Sequence, residues 1–169
     1  MKWHCLKVKI DGYLSSPYAQ NMQKVLLKNK RASFDYEVLE RFEAGLSLFG
    51  HEVKSVKNGH GHFTGSYISI SNGEAWLHHF HIAPFEKSTL DGYEPERTRK
   101  LLLHKAEIFK IASALNEKGV TVVPLECGLE KNRIKMSLAI VLGKKKYDKR
   151  ESIKKRDVQR HIETSLKDY

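Results

Sequence analysis

From Ile134 to Leu142 every second residue is large and apolar: Ile134, Met136, Leu138, Ile140 and Leu142. Successive side chains leave a strand on opposite faces, so this period-two pattern predicts a long strand. Its backbone groups need partners, and the rest of the chain must supply a sheet. Ile68 and Ile70 alternate with serines, Asn72-Gly73 forms a two-residue turn, and Trp76, His78, Phe80 and Ile82 continue on one face. That pattern predicts a hairpin with a primed turn. Phe34 to Phe49 predicts another strand, with Tyr36, Val38 and Phe42 on one parity and a bend at Ala44-Gly45. Val120 to Leu129 predicts a third, in which Pro124 implies an edge position or a bulge. It leads through a turn at Lys131-Asn132 into the alternating run.

Helical spacing is confined to two places. Val53 and Val56 mark a short helix stopped by Asn58-Gly59. Ile108, Ile111, Ala112 and Leu115 form the stripe of a helix from about Leu103 to Lys118, closed by Lys118-Gly119. Between hairpin and helix, Pro84 to Glu96 reads as loop. Short antiparallel strands, glycine and proline bends and a helix between strand groups suit a mainly β fold with helices. A small, partly open barrel fits that order better than a parallel sheet.

The chain divides into three parts: a poorly ordered extension over 1–28, a folded body over 29–143 and a basic tail over 144–169. Met22 is a plausible alternative start, which would make the first 21 residues a translation-start artefact. The tail has only a thin apolar line, Ile153, Val158, Ile162 and Leu166, too narrow to fold alone as a helix. It is expected to be mobile when free and helical against a partner. No apolar run approaches membrane-spanning length, and Lys7, Lys9 and Asp11 interrupt anything like a secretion signal. Cys5 and Cys127 form no CxxC pair, which fits a reduced cytoplasmic setting without a zinc site.

Net charge is +10, and the cations are densest in Lys144-Lys145-Lys146-Tyr147-Asp148-Lys149-Arg150 and again in Ile153-Lys154-Lys155-Arg156. Such a segment on a compact body suits a polyanion, because each cation meeting a phosphate releases a counterion. A merely solvated charge run is the commoner fate of such segments. Further cations stand at Asn29-Lys30-Arg31, at Arg97, Arg99 and Lys100, and at Arg133 and Lys135 on one strand face. Brought together, they would form a phosphate-reading surface, with Trp76 or Tyr67 as stacking rings. For Trp76 an ordinary core position is the preferred reading over a stacking ring. Glu43 stands out beside the Ala44-Gly45 bend, as either an exposed carboxylate or an acceptor for a nucleobase or ribose donor. His60, His62, His78, His79 and His81 cluster in sequence, with His79 and His81 facing one way in an extended strand. No HExxH or Cys/His spacing accompanies them, and no catalytic triad, P-loop or paired-carboxylate signature is legible. Two rivals remain: a general structured-RNA-binding barrel and a metal-assisted nuclease built on the histidines.

Five ordered blocks then carry a resemblance. They are Asn29-Lys30-Arg31-Ala32, Phe42-Glu43-Ala44-Gly45, Gly50-His51-Glu52-Val53-Lys54-Ser55, Arg97-Thr98-Arg99-Lys100-Leu101-Leu102-Leu103, and Gly143 through Arg150. Together they resemble small protein B, the SsrA-binding (SmpB) family of bacterial trans-translation. The resemblance implies a closed, OB-like antiparallel barrel with packed helices and a flexible basic tail. It implies binding to the tRNA-like domain of transfer-messenger RNA and delivery to stalled ribosomes, without catalysis or cofactor. The expected ribosomal contacts are the small-subunit decoding centre and the message channel. Elongation factor Tu and alanyl-tRNA synthetase would be met indirectly through the charged RNA, and the free protein would be a monomer. The implied RNA-body residues include Asn29, Glu43, Leu102 and Lys135. Asp148, Lys149, Arg150 and the segment from Ile153 onward are implied to sense the ribosome. Ser33-Phe34 and Val158 depart from the family's pattern.

Overall fold

The structure is a computed structural model that describes residues 22, 24–85 and 92–144. Along the chain these form β1 (Lys24–Lys28), α1 (Ala32–Asp35), β2 (Tyr36–Leu46), α2 (Gly50–Lys57), β3 (Gly61–His62) and β4 (Tyr67–Ser71). There follow β5 (Glu74–His78), β6 (His81–Ile82), β7 (Arg99–Leu102), α3 (Lys105–Leu115), β8 (Val120–Glu130) and β9 (Arg133–Gly143). Residues 1–21 and 23 of the extension expected over 1–28, and the tail residues Lys145, Lys146, Tyr147, Asp148, Lys149, Arg150, Ile153, Lys154, Lys155 and Arg156, lie outside the described residues.

The alternating run does form the longest ladders. β9 pairs antiparallel with β8 on one side and β2 on the other, inside a seven-stranded sheet of order β1-β8-β9-β2-β7-β5-β4. Asn72 and Gly73 both take the left-handed backbone, at φ 53 and 72, as a primed hairpin turn requires. Lys131 and Asn132 do the same at φ 45 and 64, so the β8–β9 turn is left-handed without any glycine. Pro124 sits in a central strand, accommodated by a bulge between Pro124 and Glu126.

Four expectations change. The body begins at Lys24 rather than 29, because Lys24–Lys28 pairs with β8. Phe34 lies in the single turn α1, so the following strand starts at Tyr36. A bulge between Val38 and Glu40 puts Val38 and Phe42 on opposite faces despite their shared parity. Likewise Ala75 and Leu77, not Trp76 and His78, point into the core. His79, at φ 52, then resets the phase so that Phe80 and Ile82 are buried.

No ladder closes the sheet among the described residues: β1 and β4 are its edges, so the expected closed barrel is not formed by hydrogen bonds. Bulges in β1, β2 and β8 increase local twist and curl the sheet until β4 lies against β8. The β3–β6 ribbon sits beside β1 at this seam. The main core gathers Phe42, Val56, Ile68, Leu77, Phe80, Ile111, Met136 and Leu138 inside the curl. A smaller cluster, Ala32, Val123, Leu125, Ala139 and Val141, covers part of the other face. At the end of β9, Lys144 is clamped to the α1 corner: its N–H donates to Asp35 O at 3.1 Å and its ammonium to Ser33 O at 3.0 Å.

Candidate nucleic-acid interface

Antiparallel partners share a face, so the register alone assembles a row across the outer side of the sheet. Leu102 of β7 stands opposite Gly45 of β2, and Gly45 opposite Lys135 of β9, which faces Gly128 of β8. Glu43, two residues before Gly45, shares this face and stands opposite Ser137. Three adjacent strands, β7, β2 and β9, therefore bring Glu43, Leu102 and Lys135 together from positions far apart in sequence. Gly45 allows a close approach, since a Cβ there would lie 3.2 Å from Leu102 Cβ. Leu102 is 57% exposed, an aliphatic surface beside a cation and a carboxylate.

The electrostatics of this row leave Glu43 unfulfilled. Its Oε1 is buried without a hydrogen-bond partner among the described residues. Desolvation, and then the charge of Glu130, push the Glu43 carboxyl above its ordinary value, with Lys135 opposing. Lys135 is shared with Glu130 at 3.4 Å. Glu130 was missed in the sequence, although a two-residue turn pairing Glu130 with Arg133 places it diagonal to Lys135. The group can offer an acceptor and a cation to a polar ligand laid on Leu102.

The other sequence candidates separate. Arg133 is exposed at the end of the same face. Lys100 is on the outer face opposite Trp76, ion-paired with Glu74 and 6.0 Å from the Trp76 ring centre. Trp76 is half-buried and so not core, a stacking position open to one side. Arg99 is corrected: it is fully buried, and its guanidinium donates to Glu52 Oε1 at 3.0 and 2.8 Å, to Arg97 O, to Pro95 O and to Phe80 O. No donor remains for RNA. Arg97 also binds Glu52, with Nε at 2.9 Å from Oε1, while its guanidinium lies 4.1 Å over the Phe49 ring. Burial would raise the Glu52 carboxyl, but hydrogen bonds from Arg97, the Phe49 N–H and Arg99, with the Arg99 charge, hold it below the ordinary range.

Asn29 is a clamp. Its side chain donates to Pro124 O at 2.9 Å and accepts from the Ala32 N–H at 3.1 Å, fixing the loop that presents exposed Lys30 and Arg31. The histidines disperse: His78 bonds Ser69 Oγ at 2.8 Å, His79 faces Glu96 at 3.5 Å, and His62 stacks on His81. Among the described residues no three His, Cys, Asp or Glu are placed to hold a metal ion. Burial raises the Cys127 thiol to about 12. No helix among the described residues is long and apolar enough to cross a membrane.

The chain is similar to known proteins over most of its length. The family model "SmpB protein" matches residues 26–168. An SsrA-binding protein of Sulfurihydrogenibium sp. is 45% identical over 145 residues, 86% of this chain and 95% of that protein. One from Bdellovibrio bacteriovorus is 47% identical over 143 residues, 85% of this chain and 94% of its own. A solved chain described as "tmRNA-SmpB: a journey to the center of the bacterial ribosome" is similar with a TM-score of 0.62 and 41% identity, covering 75% of this chain and 93% of that one.

Proposed function

The chain belongs to the SmpB protein family, and from that premise we propose that it is an RNA-binding protein of trans-translation. It binds the tRNA-like domain of transfer-messenger RNA and brings it to stalled ribosomes for rescue and tagging of the nascent peptide. The observation that carries the RNA-facing part is the meeting of Glu43, Leu102 and Lys135 on one outer face. A folded RNA is recognised by shape, phosphates and a few unpaired bases, and a rigid, curled, barrel-like platform suits that task. Lys135, Arg133, Lys30 and Lys100 serve phosphates, and Glu43 accepts from a base or ribose. Arg99 keeps a supporting role beneath this surface. The work is binding and delivery in the cytoplasm, with no bond made or broken by the protein.

The basic segment from Lys144 onward tests the ribosome. It enters an empty message channel and reaches the decoding centre, and ordering it there is offset by charge and by the thin apolar line. A message still in the channel excludes it sterically. Elongation factor Tu and alanyl-tRNA synthetase are reached through the charged RNA. Sequencing the RNA that co-purifies with the protein from its host tests the whole reading: transfer-messenger RNA should be strongly enriched, and equal competition by bulk tRNA would leave only a general RNA binder. Charge reversal at Lys149 and Arg150 should abolish tagging while RNA binding by the body stays near normal. Loss of both together would refute the division of labour.

A further inference from the structure

Where the sheet fails to close, a cleft of about 620 Å³ opens between its two edges. Its lining comes from the end of β1 and the Asn29–Ala32 loop, from Asp35 and Tyr36, from the start of β8, and from residues 61–67 that lead into β4. We infer that this seam cleft takes one unpaired nucleotide of the bound RNA, its base against Tyr67 or His62 and its phosphate toward Lys30 and Arg31. The inference rests on the RNA-binding reading above and adds a second contact, separate from the Glu43–Lys135 row.

The size fits, since small-ligand sites run from roughly 300 to 1,000 Å³. Two exposed rings line the cleft, and each is braced from behind. Tyr67, 42% exposed, stacks on His78 at 4.9 Å and 16°. His62 stacks on His81 at 4.3 Å and 3°. A ring already held by its neighbour loses little freedom when a base lands on it. The turn carrying them is fixed as well: Ser66 Oγ donates to His79 O at 2.8 Å, and Ser66 N–H to Phe63 O at 3.1 Å.

Cations come from the second segment. Arg31 keeps its side chain 82% exposed despite an ion pair with Asp35 at 3.4 Å. Lys30 is exposed and makes no ion pair among the described residues. Both hang on the loop that Asn29 clamps. Planar rings beside exposed cations match a base and its phosphate. A base within a duplex has both faces covered by its neighbours, so only an unpaired one can use these rings.

The test titrates the full-length protein with the tRNA-like domain of transfer-messenger RNA at one fixed salt concentration, comparing wild type, Tyr67→Ala, Tyr67→Phe and Lys135→Ala. Tyr67→Ala should weaken binding roughly tenfold, the loss of one base–aromatic stack, while Tyr67→Phe stays near wild type. Ultraviolet crosslinking of the unaltered protein should join the segment 61–67 to a nucleotide without a Watson–Crick partner. Weakening by Lys135→Ala with Tyr67→Ala unchanged would overturn the cleft inference and leave the sheet-face reading standing. So would crosslinks from that segment to paired nucleotides only. Failure of the wild type to bind this RNA would overturn both.

Discussion

Glu52 and Glu43 each lie beside basic side chains, yet their surroundings put the two carboxylates to opposite uses. Glu52 is fully buried and saturated by Arg97, Arg99 and the Phe49 N–H. Those bonds tie α2 to β7 and to the loop before it. Glu43 is half-buried on the outer face, with an oxygen that nothing among the described residues satisfies. The first carboxylate is internal scaffolding; the second keeps an unpartnered oxygen, which the proposed function assigns to RNA. Charge in the sequence therefore does not distinguish a support from a contact, whereas burial and satisfied donors do.

The comparison breaks most visibly at Glu52. Removing it leaves two guanidinium groups without their acceptor, one of them fully buried, and breaking such a pair costs about 3–5 kcal/mol. Glu52→Ala should thus lower the denaturant midpoint steeply, while the fraction still folded binds RNA with near-normal affinity. Stable folding together with lost RNA affinity would reverse the two roles. A smaller effect is expected on the outer face. Lys135→Ala or Glu43→Ala should weaken transfer-messenger RNA binding by about 1–3 kcal/mol while stability barely moves, checked by salt-controlled titration beside a denaturation curve. Losing one phosphate contact at Lys135 should also reduce the salt slope by about 1, and Glu43→Ala should leave that slope alone.

The smallest effect is in pH dependence, where the two glutamates have opposite signs. The folded Glu52 carboxyl lies below its ordinary 4.5, so its network contributes stability present above 4.5 and lost as pH falls through the lowered value. The folded Glu43 carboxyl lies above 4.5, so its contribution is present below that value and lost as pH rises through the raised one. Glu43→Gln should accordingly be as stable as wild type, or slightly more so, at pH 7. Glu52→Gln should be much less stable there, with its deficit narrowing in acid. Denaturant midpoints at pH 7 and pH 4 check both signs.

Much of the sheet could be read from the residues because its signals are local. Asn72-Gly73 demands a primed turn, and Ile134 to Leu142 alternates without interruption until it meets the basic run. What escaped depends on one-residue insertions. The bulge at Leu39 and the left-handed His79 each reverse which parity is buried, and neither residue type announces this. β1 escaped because Lys24-Val25-Leu26-Leu27-Lys28 lacks clean alternation and carries a bulge of its own. Closure was expected from the resemblance, but hydrogen bonding across the last gap depends on how the edges meet. At the site, Glu43 stood out as a carboxylate in a cationic chain, while its meeting with Leu102 and Lys135 is a product of strand order. Arg99 looked like its neighbour Lys100 until the pleat placed one inside and the other outside.

The clamp on Lys144 gives the last 25 residues a fixed point of departure. At about 3.3–3.6 Å per residue, Arg156, twelve residues further on, can lie at most about 40–43 Å from that point. Any groove the cations up to Arg156 are to probe must open within that distance once the body has docked, so the pose of the folded part determines how far along such a groove the chain can extend.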